Sequence, residues 1–218
     1  PTLTGLDESL RFVQIELLGT HDVTEEQILD EIRYASVVRS IRLIDGGRFI
    51  LALERVNTLE SAAAPVSLSG VFWILGGAGA IGQVFGEYLA RKHGLTVILS
   101  GRSPAKQELK QRLAQWREEG LKLAYVPADV TNSNSLAGAV SVIRQEYGKI
   151  QGVVHCAGAL GEGSILTNEP AVMRDNLAPK LPGVCHVHEV LADDSPEYFM
   201  IFSSTSSILG DFGQGTYA

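Results

Sequence analysis

From residue 71 onward the chain alternates short apolar runs with stretches whose apolar positions recur every three or four residues. The runs VFWILGG, LTVILS, LKLAYVPA, IQGVVHCAG and EYFMIFSS read as strands. The segments 80–93, 104–118, 133–146 and 168–190 between them read as amphipathic helices. Strands that are apolar on both faces must be covered on both faces. Five of them separated by helices therefore predict an α/β fold, a doubly wound parallel sheet of Rossmann type. Gly94 and Gly120 fall just past two of the helices, where a left-handed cap belongs.

The first quarter of the chain has a different rhythm. FVQIELL alternates, Thr24 and Gln27 form a capping box that opens the helix TEEQILDEIRYA, and SIRLID and RFILALERV flank the hairpin signal Gly46-Gly47. These elements are too few for a Rossmann fold of their own. The small, polar, weakly periodic stretch that follows reads as a linker. The expected organisation is a first unit at 1–56, a linker at 57–69 and the nucleotide-binding unit at 70–218.

Composition narrows the classes. At 218 residues, 45% hydrophobic and 20% charged, the chain suffices for one large domain or two small ones. A net charge of −7, with no Lys/Arg run, leaves no footprint for nucleic acid, although a phosphorylated small molecule can still be held locally. Cys156 and Cys185 fit neither a disulfide framework nor a zinc spacing, and PTLTGLDESLRF lacks the pattern of a signal peptide, so a reducing cytoplasm is expected. No apolar run approaches the roughly 18 residues that cross a bilayer. Neither a membrane nor a resident metal is expected.

WILGGAGAIGQVF carries a GxGxxG run between an apolar strand and a helix, the context a dinucleotide site requires. Gly77 is read as the tight turn, Gly79 as the point where backbone approaches a pyrophosphate, and Gly82 as close helix-to-sheet packing. The helix end that follows, with Ala80 and Ile81, faces the anion with free N–H groups. The end of the second strand reads ILSGRS, with Ser100, Arg102 and Ser103 where an NAD site usually places a carboxylate. A guanidinium suits a 2′-phosphate, so NADPH is expected in preference to NADH; the alternative is a surface Arg102. Ser103 serves equally as an N-cap before Pro104. Asp129 and Val130 lie where a loop reaches the adenine, but Asp129 is as readily a turn-former. Ala157 and Gly158 close the fourth strand beside the cofactor, and His155 and Cys156 ahead of them read as buried strand-end residues.

Taken in order, GGAGAIG, LSGRS, ADV, VVHCAG, APKLPGV and IFSSTSSILGDFGQGTY resemble the ketoreductase domains of modular polyketide synthases, a branch of the short-chain dehydrogenase/reductases. The resemblance spans about residues 70–218. The elements before it look like the tail of that family's structural subdomain, a degenerate Rossmann-like half. In the family a Ser lies thirteen residues before the catalytic Tyr and a Lys twenty-four before the Ser; Ser204, Tyr217 and Lys180 match these spacings. The resemblance implies that Tyr217 is the general acid, that Lys180 lowers its pKa, and that Ser204 donates a hydrogen bond to the substrate carbonyl. It also implies a β-ketoacyl thioester on an acyl carrier protein as substrate, NADPH as cofactor, and neighbouring synthase domains as partners. The family's fourth residue, an Asn, falls at position 221, beyond this sequence, so residues 1–218 alone are expected to turn over poorly. The markers of product configuration, Leu160-Gly161-Glu162 and Leu209, match neither subclass. The alternatives are a reductase of free ketones and a non-catalytic nucleotide-binding or scaffolding module.

Overall fold

The computed structural model describes residues 13–18, 23–33, 40–45, 47–55, 67–158 and 168–209. The linker reading at 57–69 falls mostly outside them, as do Tyr217 and the residues 160–162. The first unit is a three-stranded sheet with one helix. Strand β1 (Gln14–Leu18) leads through α1 (Glu25–Arg33) to a parallel partner, β2 (Ser40–Ile44), which pairs antiparallel with β3 (Gly47–Ile50). The capping box forms as expected: Thr24 N–H donates to Gln27 Oε1 at 2.8 Å, and Gln27 N–H to Thr24 Oγ1 at 3.3 Å. The third strand stops at Ile50, short of the predicted run, and Asp45 takes a φ of 47° in the turn.

The second unit is a five-stranded, wholly parallel sheet. Its strands are β4 (Val71–Leu75), β5 (Thr96–Ser100), β6 (Leu123–Tyr125), β7 (Ile150–His155) and β8 (Tyr198–Ile201), ordered β6-β5-β4-β7-β8. The first strand is central, with β5 on one side and β7 on the other. The chain therefore reverses its winding direction at β4, and a crevice opens beyond the carboxyl ends of β4, β5 and β7.

Both faces of β4, β5 and β7 are covered, which accounts for their uninterrupted apolar runs, whereas Met200 and Ile201 of the edge strand β8 stand exposed. Phe72 and Ile74 point to the layer of α2 (Ala80–His93) and α3 (Gln107–Glu118), packing with Leu89, Leu109 and Trp116. Trp73 and Leu75 point the other way, to Leu136, Val140 and Ile143 of α4 (Ser133–Glu146) and to Val187. Gly94 (φ 68°) caps α2, and Gly120 (φ 80°) follows α3, as the sequence suggests.

Two helix readings change. The predicted helix 104–118 starts at Gln107, with Lys106 at its N-cap, so Ser103 is not the cap; its carbonyl accepts the Tyr125 hydroxyl instead. The predicted helix 168–190 is two helices, α5 (Pro170–Leu177) and α6 (Pro182–Val190). Pro182 has no N–H to continue the first helix, and Gly183 N–H bonds back to Ala178 O at 2.8 Å across the break. Lys180 consequently sits in a bend between helices. A short helix, α7 (Ser206–Leu209), follows Ser204 where a loop was expected.

Candidate active site

The turn after β4 is built by four glycines. Gly76, which the GxGxxG reading passes over, carries the positive φ of 81°, and a Cβ there would lie 2.6 Å from Ala157 N. Gly77 is pressed against the sheet: its Cβ would lie 2.7 Å from Ile74 O and 2.9 Å from Leu99 Cα. The tight-turn role thus belongs to Gly76, and Gly77 serves close packing. At Gly82 a Cβ would lie 2.6 Å from Gly77 Cα, so the first turn of α2 rests directly on the loop. Gly79 is the open one, with only Gly76 O within reach, at 3.3 Å. It is the N-cap of α2 and supplies no side-chain cap, so the N–H groups of the helix end have no side-chain acceptor there. Gln83 Nε2 donates to Ala78 O at 2.8 Å and steadies the loop from inside α2.

Two cavities flank this loop. The larger, about 690 Å³, lies between Gly79, Ala80, Arg102, Ser103, Lys106, Arg112 and Tyr125. The smaller, about 280 Å³, runs between Gly76, Gly79, Arg102, Val130, Cys156, Ala157, Gly158 and Pro179. Arg102 borders both and makes no ion pair among the described residues. Its loop is held by Tyr125, whose hydroxyl donates to the carbonyls of Gly101 (3.1 Å) and Ser103 (2.5 Å). Burial pushes the Tyr125 phenol up, which keeps it a protonated donor. Open backbone at a helix amino end, a guanidinium beside it and a cleft along the strand ends together fit an adenine dinucleotide with a further phosphate on its ribose.

The other predicted residues divide by placement. Ser100 is fully buried: its hydroxyl accepts from Trp73 Nε1 at 2.8 Å and donates to Val126 O at 2.5 Å. It ties β4 and β5 to the residue that follows β6, and this burial removes its side chain from the cofactor-contact role. Ile81 is 62% exposed and lies on α2 away from both cavities. Asp129 Oδ1 accepts from the N–H (2.9 Å) and hydroxyl (2.8 Å) of Thr131, the turn-former alternative, while Val130 lines the smaller cavity.

The catalytic candidates approach the carboxyl end of the sheet by two routes. Ser204 follows β8; it is half-buried, and its Oγ lies 3.1 Å from Ser206 Oγ. Lys180 follows Pro179, a wall of the smaller cavity, and burial lowers its ammonium below the ordinary lysine value. His155 stands between them, 3% exposed. Its ring Nε2 is 2.8 Å from Pro179 O, and its own carbonyl accepts Phe202 N–H at 2.9 Å. Next to it, Cys156 lies over Leu75 O, 3.1 Å from Sγ, and burial pushes its thiol up to about 11. That thiol is no nucleophile near neutrality.

Gly76, Gln83, Tyr125 and Pro179 escaped the sequence reading. Only the Gly76-Gly77 pair carried a local signal. No cluster of three metal-ligating side chains occurs among the described residues, and no helix among them is long and apolar enough to cross a membrane.

Comparison with known proteins places this geometry. A family model described as the KR domain matches residues 70–218. The chain is 31% identical over 220 residues to polyketide synthase PksL of Bacillus subtilis (strain 168), a match covering 100% of this chain and 5% of that protein. Among solved structures, a ketoreductase domain from the bacillaene assembly line superposes with a TM-score of 0.86 at 29% identity, covering 100% of this chain and 52% of that one. A variant of actinorhodin polyketide ketoreductase crystallised with NADPH shares the fold, with a TM-score of 0.62 at 21% identity over 68% of this chain and 58% of that one. The chain thus spans a small fraction of the synthase it matches and about half of the bacillaene domain.

Proposed function

The chain belongs to the KR domain family, the ketoreductase domains of polyketide synthases with a short-chain dehydrogenase/reductase fold, and from that membership we propose that it reduces a β-ketoacyl thioester borne on an acyl carrier protein, with NADPH. The observation that supports this most is one of placement. The open glycine loop at the winding reversal and the segments carrying Lys180 and Ser204 all meet at the carboxyl end of one parallel sheet.

Gly79 and the amino end of α2 would hold the diphosphate, and Arg102 the 2′-phosphate. Bound there, the cofactor would supply a hydride for the carbonyl carbon. Negative charge would then grow on the carbonyl oxygen, and the protein's task is to receive it. The Ser204 hydroxyl donates a hydrogen bond to that oxygen. The Tyr217 phenol gives it a proton. A phenol ordinarily holds its proton to about pH 10; a Lys180 ammonium held beside it would favour the phenolate and bring the transfer within reach of neutrality.

Residues 1–218 alone are proposed to bind NADPH with poor turnover, and the full encoded polypeptide to reduce. The test is NADPH oxidation by that polypeptide with a β-ketoacyl thioester, for the wild type and Tyr217→Phe. Loss of reduction with NADPH binding retained supports the assignment. Unchanged reduction removes Tyr217 from the mechanism, and failure to bind NADPH removes the cofactor.

A further inference from the structure

His155 is the end of β7, 3% exposed, with Leu75 of β4 and Ile201 of β8 as its strand neighbours. A carbonyl oxygen only accepts, so the 2.8 Å contact to Pro179 O requires the proton on Nε2. In the neutral ring Nδ1 is then a bare acceptor, and it is buried with no partner among the described residues. A buried polar atom without a partner is a cost that an aliphatic side chain of similar volume would avoid. The ring must therefore return something through its other nitrogen.

What it returns is a fixed point for the bend between α5 and α6. Pro182 prevents a continuous helix there, so the lysine that follows Pro179 lies in a bend between two helices. Its backbone N–H donates to Leu177 O, at 2.9 Å. The ring of His155 ties the preceding carbonyl to the end of the central sheet. The carbonyl of the same residue accepts Phe202 N–H at 2.9 Å, two residues before Ser204. One residue thus binds, through side chain and backbone, the two segments that carry the catalytic candidates.

We infer that His155 is a positioning residue, whose Nε2–H bond to Pro179 and backbone bond to Phe202 set Lys180 and Ser204 at a fixed separation. This rests on the catalytic reading of Lys180 and Ser204 given above. Burial holds the imidazole below its ordinary pKa, which keeps the ring in the neutral form the geometry requires.

The test uses the full encoded polypeptide with His155→Leu, which removes the donor, and His155→Gln, whose amide nitrogen reaches toward the place of Nε2. His155→Leu is expected to lower kcat by roughly 10- to 100-fold, the effect of a misplaced catalytic group, with the NADPH dissociation constant within about 3-fold of wild type. His155→Gln is expected to restore most of kcat. Amide hydrogen exchange over residues 178–183 should quicken in the Leu variant and not in the Gln variant. A Leu variant with wild-type kcat overturns the inference, as do Leu and Gln variants equally impaired while folded. If the Leu variant does not fold, the Gln variant decides alone: retained kcat supports the role, and lost kcat with an intact melting transition refutes it. Lys180→Ala separates the two layers. If it leaves kcat unchanged, the catalytic reading falls and this role with it; if it abolishes turnover while His155→Leu does not, only the inference falls.

Discussion

Gly82→Ala should damage both the fold and the cofactor site, and the geometry gives the size of the damage. An alanine Cβ at 82 would stand 2.6 Å from Gly77 Cα and 2.8 Å from Gly76 O, against the 3.4 Å at which ordinary contact begins. Both obstacles are backbone, so α2 must lift from the loop by several tenths of an ångström. Overpacking of this kind costs about 1–3 kcal/mol, while replacing glycine by alanine inside a helix returns about 0.5–1 kcal/mol. Because both obstacles are backbone, the upper part of that cost, about 2–3 kcal/mol, applies, and the clash wins by about 1–2 kcal/mol. For a domain of this size that lowers Tm by about 2–8 °C. NADPH affinity should fall at least tenfold, about 1.4 kcal/mol, because the amino end of α2 no longer meets the diphosphate. Gly86→Ala on the same helix is the control: its Cβ would meet Leu99 Cδ2 at 2.9 Å and Ile74 Cδ1 and Val97 Cγ1 at 3.3 Å, side-chain atoms in place of backbone, so a shift of a few tenths of an ångström relieves it. It should leave Tm within about 2 °C and binding intact, since the helix-propensity gain offsets a soft contact. Gly79→Ala should do the converse of a core lesion, sparing Tm while abolishing affinity. The assays are thermal unfolding by circular dichroism and NADPH fluorescence titration. A Gly82→Ala protein with wild-type Tm and affinity would refute the close-packing argument.

Other outcomes follow from the same structure. Arg102→Ala should weaken NADPH binding by about tenfold or more and leave NADH nearly unchanged, since a single charge-assisted pair to the 2′-phosphate is worth about 1.5–3 kcal/mol; equal effects on both cofactors would place Arg102 elsewhere. Iodoacetamide at pH 8 should alkylate the exposed Cys185 well before Cys156, whose thiol at about 11 is roughly one part in a thousand thiolate, as peptide mass spectrometry can read. His155, held neutral by burial below its ordinary 6.5, contributes stability that is complete above pH 6.5 and lost as pH falls toward its depressed folded value. Urea unfolding of wild type and His155→Gln between pH 7.5 and 5.5 should therefore show wild type losing more stability in acid, by at most about 1.4 kcal/mol per pH unit.

The sheet strands and the glycine turn were legible because their signals are local. A strand covered on both faces must be apolar at every position, as Val71–Leu75 is, and a helix cap depends on residues three apart, as Thr24 and Gln27 do. Even the break before α6 had a local sign in Pro182, which the amphipathic pattern of 168–190 obscured. Ser100 was misplaced for a different reason. Its position at a strand end next to Arg102 suggested the cofactor, but which face a residue presents depends on register, and the register buries it between Trp73 and Val126.

What the sequence by itself determined is the alternation of strands with helices, the glycine loop opening α2 and the chemical types at 102, 180, 204 and 217. Periodicity and turn chemistry act between residues a few positions apart, so they can be read along the chain. What only the tertiary structure decided is which groups meet: Tyr125 on the Arg102 loop, and the His155 ring on Pro179 with its carbonyl on Phe202. Those partners lie 22 to 47 residues apart, and nothing in their local pattern specifies them. They are fixed by the order β6-β5-β4-β7-β8, which sets strand ends from distant stretches side by side.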